Sequence, residues 1–136
     1  MMIKIVISIF LILHGLVHLL YLGQSQRFFE LQPGMVWPDG SWVFGRILGS
    51  EPTRLLASAA CVVAAVGFAA TGMGILLDQN WWKTPLVFTA IFSSIVYLLL
   101  WNGKLEHLDN QGAIGILINL ALLGITYTVG WPNFAV

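Results

Sequence analysis

IKIVISIFLILHGLVHLLYL, residues 3–22, holds one charged residue, Lys4, and that sits at its start. A helix needs about 20 apolar residues to cross roughly 30 Å of hydrocarbon. This stretch has that length, so it predicts a membrane span. It also carries His14 and His18. Four residues apart on a helix is about 40° around the axis, so both imidazoles share one face. Polar groups are costly in lipid, so that face is expected to turn inward, toward other helices.

The rest of the chain fits this reading. Of 136 residues, 58% are hydrophobic and 9% are charged, with mean hydropathy +0.86. Soluble domains carry roughly 25% charged residues. Lys plus Arg and Asp plus Glu are 6 each, so the net charge is zero. No basic patch points to nucleic acid. Cys61 is the single cysteine, which excludes an intrachain disulfide and a CxxC redox pair. It therefore argues against a four-helix disulfide oxidoreductase.

The predicted fold class is all-α: an integral membrane bundle of four transmembrane helices in a single domain, 1–136. The spans are expected at about 3–22, 55–77, 82–101 and 112–131. Residues 5–26, 55–77, 84–103 and 110–136 contain no Lys, Arg, Asp or Glu. Pro85 lies in the first turn of the third span, where a missing N–H is harmless. Trp81, Trp82, Trp101 and Trp131 mark span ends, as interfacial belts do. No A-x-A-like cleavage site follows the first span, so it is expected to be retained. Lys4 and Lys83 fall on one side, and Arg27, Arg46, Arg54 and Lys104 on the other. The positive-inside rule then puts loop 23–54 in the cytoplasm and both termini outside the cell membrane.

That loop reads QSQRFFELQPGMVWPDGSWVFGRILGSEPTR over residues 24–54. PDG at 38–40 signals a turn. SWVFGRIL, 41–48, is expected to form a short helix in the membrane interface. The loop reads either as a lid over the helices or as a packed anchor.

Aligned by depth, the spans offer matching polar stripes. Leu11, His14, His18 and Tyr21 form one, with Ser8 and Gly15 beside it. Gly112, Gly115, Asn119, Leu123, Thr126 and Gly130 fall within about 80° of the last helix. The third span offers Thr89, Ser93 and Tyr97, and the second Ser58 and Cys61. Ala57, Cys61, Ala65 and Ala69 make a ridge for close helix contact. Expected hydrogen-bond partners are Asn119 for His14, and Tyr97 or Ser58 for His18. On this reading the histidines hold helices together.

Other chemistry is open to the same residues. His14, His18, Tyr97 and Asn119 are candidate cofactor-binding residues. Two His at i, i+4 can chelate an ion, and His107 lies past the third span with Glu106. A divalent metal held by His18, His107 and Glu106 is one candidate. Haem b is a second, with one histidine and an open or non-His sixth position, or with one histidine from each of two copies. A quinone or polyisoprenoid bound by a His and a Tyr at one depth is a third. No carboxylate, Arg or Lys stands at mid-membrane, which argues against a transporter acting alone.

FLILHGLVHLLYL in the first span, RLLASAACVVAAVGFAATGMGILL in the second and GAIGILINLALLG in the fourth together resemble the DoxX-like group of small four-helix membrane proteins. The resemblance implies the architecture and, for some members of the group, a link to quinone chemistry, and carries no site residues with it. The expected role is a non-catalytic accessory or scaffold subunit, in contact with the lipid bilayer and with other membrane subunits or further copies of itself. The alternative is a redox-associated protein holding a quinone, haem b or metal near His14 and His18.

Overall fold

A computed structural model describes residues 1–128. Gly130 and Trp131, expected to close the last span, lie outside the described residues. Helix α1 is Met2–Ser25, α2 is Phe44–Ile47, α3 is Ser50–Leu76, α4 is Lys83–Leu100 and α5 is Ala113–Thr128. Short 3-10 turns at Asn80–Trp82 and Leu108–Gln111 lead into α4 and α5. Among the described residues there is no strand. The stretches Met2–Ser25, Ser50–Leu76 and Asn80–Leu100 are each long and apolar enough to cross a membrane, and Ala113–Thr128 is a shorter apolar helix.

The ends differ from the sequence expectation. α1 continues to Ser25, three residues further. α3 starts at Ser50, five residues sooner. Glu51 and Pro52 occupy its first turn, where an acid suits the helix dipole and a proline removes no hydrogen bond. Both extensions are polar, so an apolar run alone does not reveal them. The expected interfacial helix over 41–48 shrinks to the single turn α2.

α1 packs on α3, α3 on α4, and α4 on α5. Small residues set these distances. A Cβ on Gly15 would come within 2.9 Å of the Ala65 carbonyl, and one on Gly72 within 2.7 Å of the Ser8 carbonyl. Ala57, Cys61 and Ala65 are buried on α3. Close backbone approach of this kind is how helices gain contact where lipid is as apolar as leucine. Phe68, Leu11, Ile75 and Leu86 fill the centre. Large apolar residues such as Leu13, Val66, Ile95 and Leu117 face outward. Their exposure suits a hydrocarbon solvent rather than water.

At one end Lys4 of α1 pairs with Asp78 beyond α3. The opposite end is closed by residues 26–49. Gln24 is fully buried and organises this loop: its Oε1 accepts from the Leu31 amide at 2.9 Å, and its Nε2 donates to the Met35 carbonyl at 2.9 Å. Ser41 Oγ donates to the Leu99 carbonyl at 2.8 Å, and Trp42 Nε1 to the Leu98 carbonyl at 2.9 Å. Helix C-termini leave four carbonyls without partners, and the loop supplies donors for two of those of α4, Leu98 and Leu99. Met35 and Trp37 of the loop are buried.

Asp39 clasps the loop. Its carboxylate accepts from Arg27 at 2.8 Å and from Arg54 at 2.7 and 2.9 Å. Burial pushes the Asp39 carboxyl up, but hydrogen bonds from Arg54 and Arg27 outweigh it and hold it below the usual carboxylate range. A depressed folded-state value means that the clasp stabilises above the unfolded value and is lost as pH falls through the folded one. The loop should therefore keep its protection down to about pH 4, the ordinary Asp value, and loosen only below it. Asp39→Asn should raise amide exchange across residues 35–41 at neutral pH, at a stability loss of about 1 kcal/mol given the exposure of the pair. Unchanged exchange in that variant would show that the clasp holds nothing.

Candidate functional site

The two histidines project from the middle of α1 between α4 and α5. His14 is 7% exposed and His18 4%. His14 Nε2 lies 3.0 Å from Asn119 Oδ1. His18 Nδ1 lies 3.0 Å from the His14 carbonyl, and its Nε2 2.8 Å from Ser93 Oγ. Asn119 Nδ2 donates to Ser94 Oγ at 3.1 Å, and Ser94 Oγ donates to the Ala90 carbonyl at 2.7 Å.

The partners dictate where the protons are. Ser94 gives its proton to Ala90, so it can only accept from the Asn119 amide. Asn119 must then present its oxygen to His14, and His14 Nε2 must donate. Burial with no charged partner at hand keeps both rings neutral. A carbonyl accepts at the other site, so His18 Nδ1 donates and His18 Nε2 accepts a hydrogen bond from the Ser93 hydroxyl. The two rings are then opposite tautomers. The result is a circuit: α1 to α5 through His14 and Asn119, α5 to α4 through Ser94, and α4 back to α1 through Ser93 and His18.

Asn119 pairs with His14 as the depth alignment expects, but His18 does not bond Tyr97 or Ser58. Tyr97 packs against the His18 ring at 5.7 Å and turns its hydroxyl to Cys61 Sγ at 3.8 Å. Ser58 instead accepts from Gln26 at 2.6 Å and donates to the Arg54 carbonyl at 2.8 Å. The neglected signal is the pair Ser93–Ser94. Adjacent residues point about 100° apart on a helix, so the doublet reaches two neighbouring helices at once.

His18, His107 and Glu106 do not meet. His107 and Glu106 are exposed, at the start of the turn before α5. They line a recess with Trp37 and Lys104. Tyr97 packs on His18 and Trp37 stacks on Tyr97 at 5.4 Å, so two aromatic rings stand between that recess and His18. Among the described residues no three His, Cys, Asp or Glu side chains could hold one ion.

Between α1 and α5 lies a cavity of about 260 Å³, lined in part by His14, His18, Tyr21, Tyr97, Asp109 and Gly115. Two glycines treat it differently. A Cβ on Gly112, whose φ is +88°, would strike the Tyr97 ring, so this glycine makes room for packing. A Cβ on Gly115 would meet no atom within 4 Å among the described residues. Gly115 borders empty space.

Nitrogen NMR of imidazole-labelled protein checks the proton assignment. His14 should show a protonated Nε2 and a bare Nδ1, and His18 the reverse. Asn119→Leu should mix the His14 tautomers and leave His18 unchanged. Two identical tautomers in the wild-type protein would contradict the circuit.

The chain matches no protein-family model, and no curated protein or solved structure is significantly similar to it.

Proposed function

We propose that this is a small polytopic protein of the cell membrane whose four helices cross the bilayer, with loop 23–54 cytoplasmic and both termini outside. We further propose that it is a non-catalytic accessory or scaffold subunit, working beside other membrane subunits or as a homo-oligomer. The carrying observation is that His18, Asn119, Ser93 and Ser94 are engaged with one another or with the backbone of these helices. His18 uses both ring nitrogens and Asn119 both ends of its amide. Groups so engaged hold helices in register rather than wait for a substrate. The outward apolar faces of α1, α3 and α4 support the bilayer setting. The likeness to DoxX-like proteins belongs to this proposal and rests on the residues of the first, second and fourth spans alone.

A second reading keeps a redox-associated role with a quinone near His14. The cavity beside that residue favours the quinol form, whose hydroxyl can donate to the bare His14 Nδ1. Haem b or a divalent metal fits less well, because His18 Nε2 would have to release Ser93 and, among the described residues, no three His, Cys, Asp or Glu side chains come together.

The test joins a spectrum to a stability series. Protein purified in mild detergent should show no Soret band, oxidised or dithionite-reduced. His14→Gln, His18→Gln and Asn119→Leu should each lower unfolding stability by about 1 kcal/mol, the scale of interhelical hydrogen bonds in membranes. A Soret band that His14→Gln removes without loss of stability would reject the scaffold reading in favour of electron transfer.

A further inference from the structure

The cavity beside His14 does not end there. A second hollow of about 350 Å³ continues along the same α1–α5 cleft, and Ile118 lines both. Val6, Phe10, Leu122 and Ile125 line the second hollow, and no polar residue does. Together they form one cleft with two characters. The end near the loop carries His14, Tyr21 and Asp109, and the other end is purely apolar. From Tyr21 to Val6 the cleft runs roughly 22 Å at 1.5 Å per residue. Each hollow is close to the lower end of the volume range of small-molecule sites, about 300 Å³.

The polar end has a definite hydrogen-bonding sense. Asn119 fixes the His14 proton on Nε2. His14 Nδ1 is therefore a bare acceptor. It has no partner among the described residues, and it is not one of the sealed polar atoms, which are Ser8 Oγ and Trp37 Nε1. The ring lines the cleft, so that lone pair is open to it. Asp109, at the mouth, also only accepts when ionised. A head that fits must donate. It must also be uncharged, since no charged group stands at the depth of His14 and burying an unpaired charge there is costly. Gly115 leaves the room such a head needs.

We infer that the α1–α5 cleft binds a single-chain lipophile with an uncharged hydroxyl head, its O–H donated to His14 Nδ1 and its chain lying toward Val6 and Ile125. This rests on the bilayer reading above. It predicts a discrimination that a merely greasy groove would not show, between an alcohol and its methyl ether.

The experiment uses the full chain in lauryldimethylamine oxide micelles, a detergent without hydroxyls. Native mass spectrometry compares tetradecanol with methyl tetradecyl ether. One tetradecanol should bind, with the ether about tenfold weaker or more, the loss expected for about 1.4 kcal/mol. Gly115→Leu should abolish alcohol binding while thermal unfolding stays at the wild-type temperature. On binding, the His14 Nδ1 resonance of the wild-type protein should shift and that of His18 should not. Equal binding of alcohol and ether, or an unmoved His14 resonance, would overturn the proposal even if Gly115→Leu failed to fold. Alcohol binding that persists in a folded Gly115→Leu would overturn it too. Failure of the bilayer reading would look different: the protein would stay soluble without detergent.

Discussion

A buried polar group in apolar surroundings has to find a partner, and in this protein that requirement orients the helices. Apolar contact cannot do so in lipid, because a leucine gains little by exchanging an acyl chain for another leucine. Small residues let α1 and α3 approach, and Gly15 and Gly72 set how near. They do not by themselves settle how α4 and α5 are turned. The hydrogen bonds from His14 to Asn119, from Asn119 to Ser94 and from Ser93 to His18 do. A rotation of α5 by one residue, about 100°, would face Asn119 away from both partners and leave three groups unpaired.

The same rule governs the end of the molecule that carries the loop. Helix α4 finishes with free carbonyls, and Ser41 and Trp42 reach them from the loop. Gln24 serves the loop backbone in turn, with both ends of its amide engaged. Apolar burial then reinforces the polar framework. Trp37 lies against Tyr97 and Tyr21, and Tyr97 lies against His18. This aromatic layer separates the histidines from His107 and Glu106. The cavity beside the histidines lies on the α1–α5 side.

Several features of the site were readable from residue spacing. The inward face of α1 follows from His14 and His18 being four apart in a run that lipid would otherwise surround. Asn119 follows as the partner of His14 because both sit at one depth and each lacks any other equal. The partner of His18 was not readable, because Tyr97, Ser58 and Ser93 all fall at compatible depths. Choosing among them takes the rotation of α4, and Cys61 draws the Tyr97 hydroxyl away. The proposed joining of His18 with His107 and Glu106 failed for a related reason. Distance along the chain says nothing about the aromatic rings that a distant loop inserts between them.

By itself the sequence determined the number and approximate limits of the apolar helices, their small-residue seams and the inward turn of the histidines. These depend on length, periodicity and the cost of polarity in hydrocarbon, all of which are local. Only the tertiary structure decided which serine meets His18, which nitrogen of His14 stays bare, how Gln24 and Asp39 hold the loop, and that α1 and α5 part to leave a cleft. Those outcomes turn on the relative rotation and spacing of helices remote in the chain. The helices' outer residues do not encode that geometry, because lipid receives any apolar face equally well.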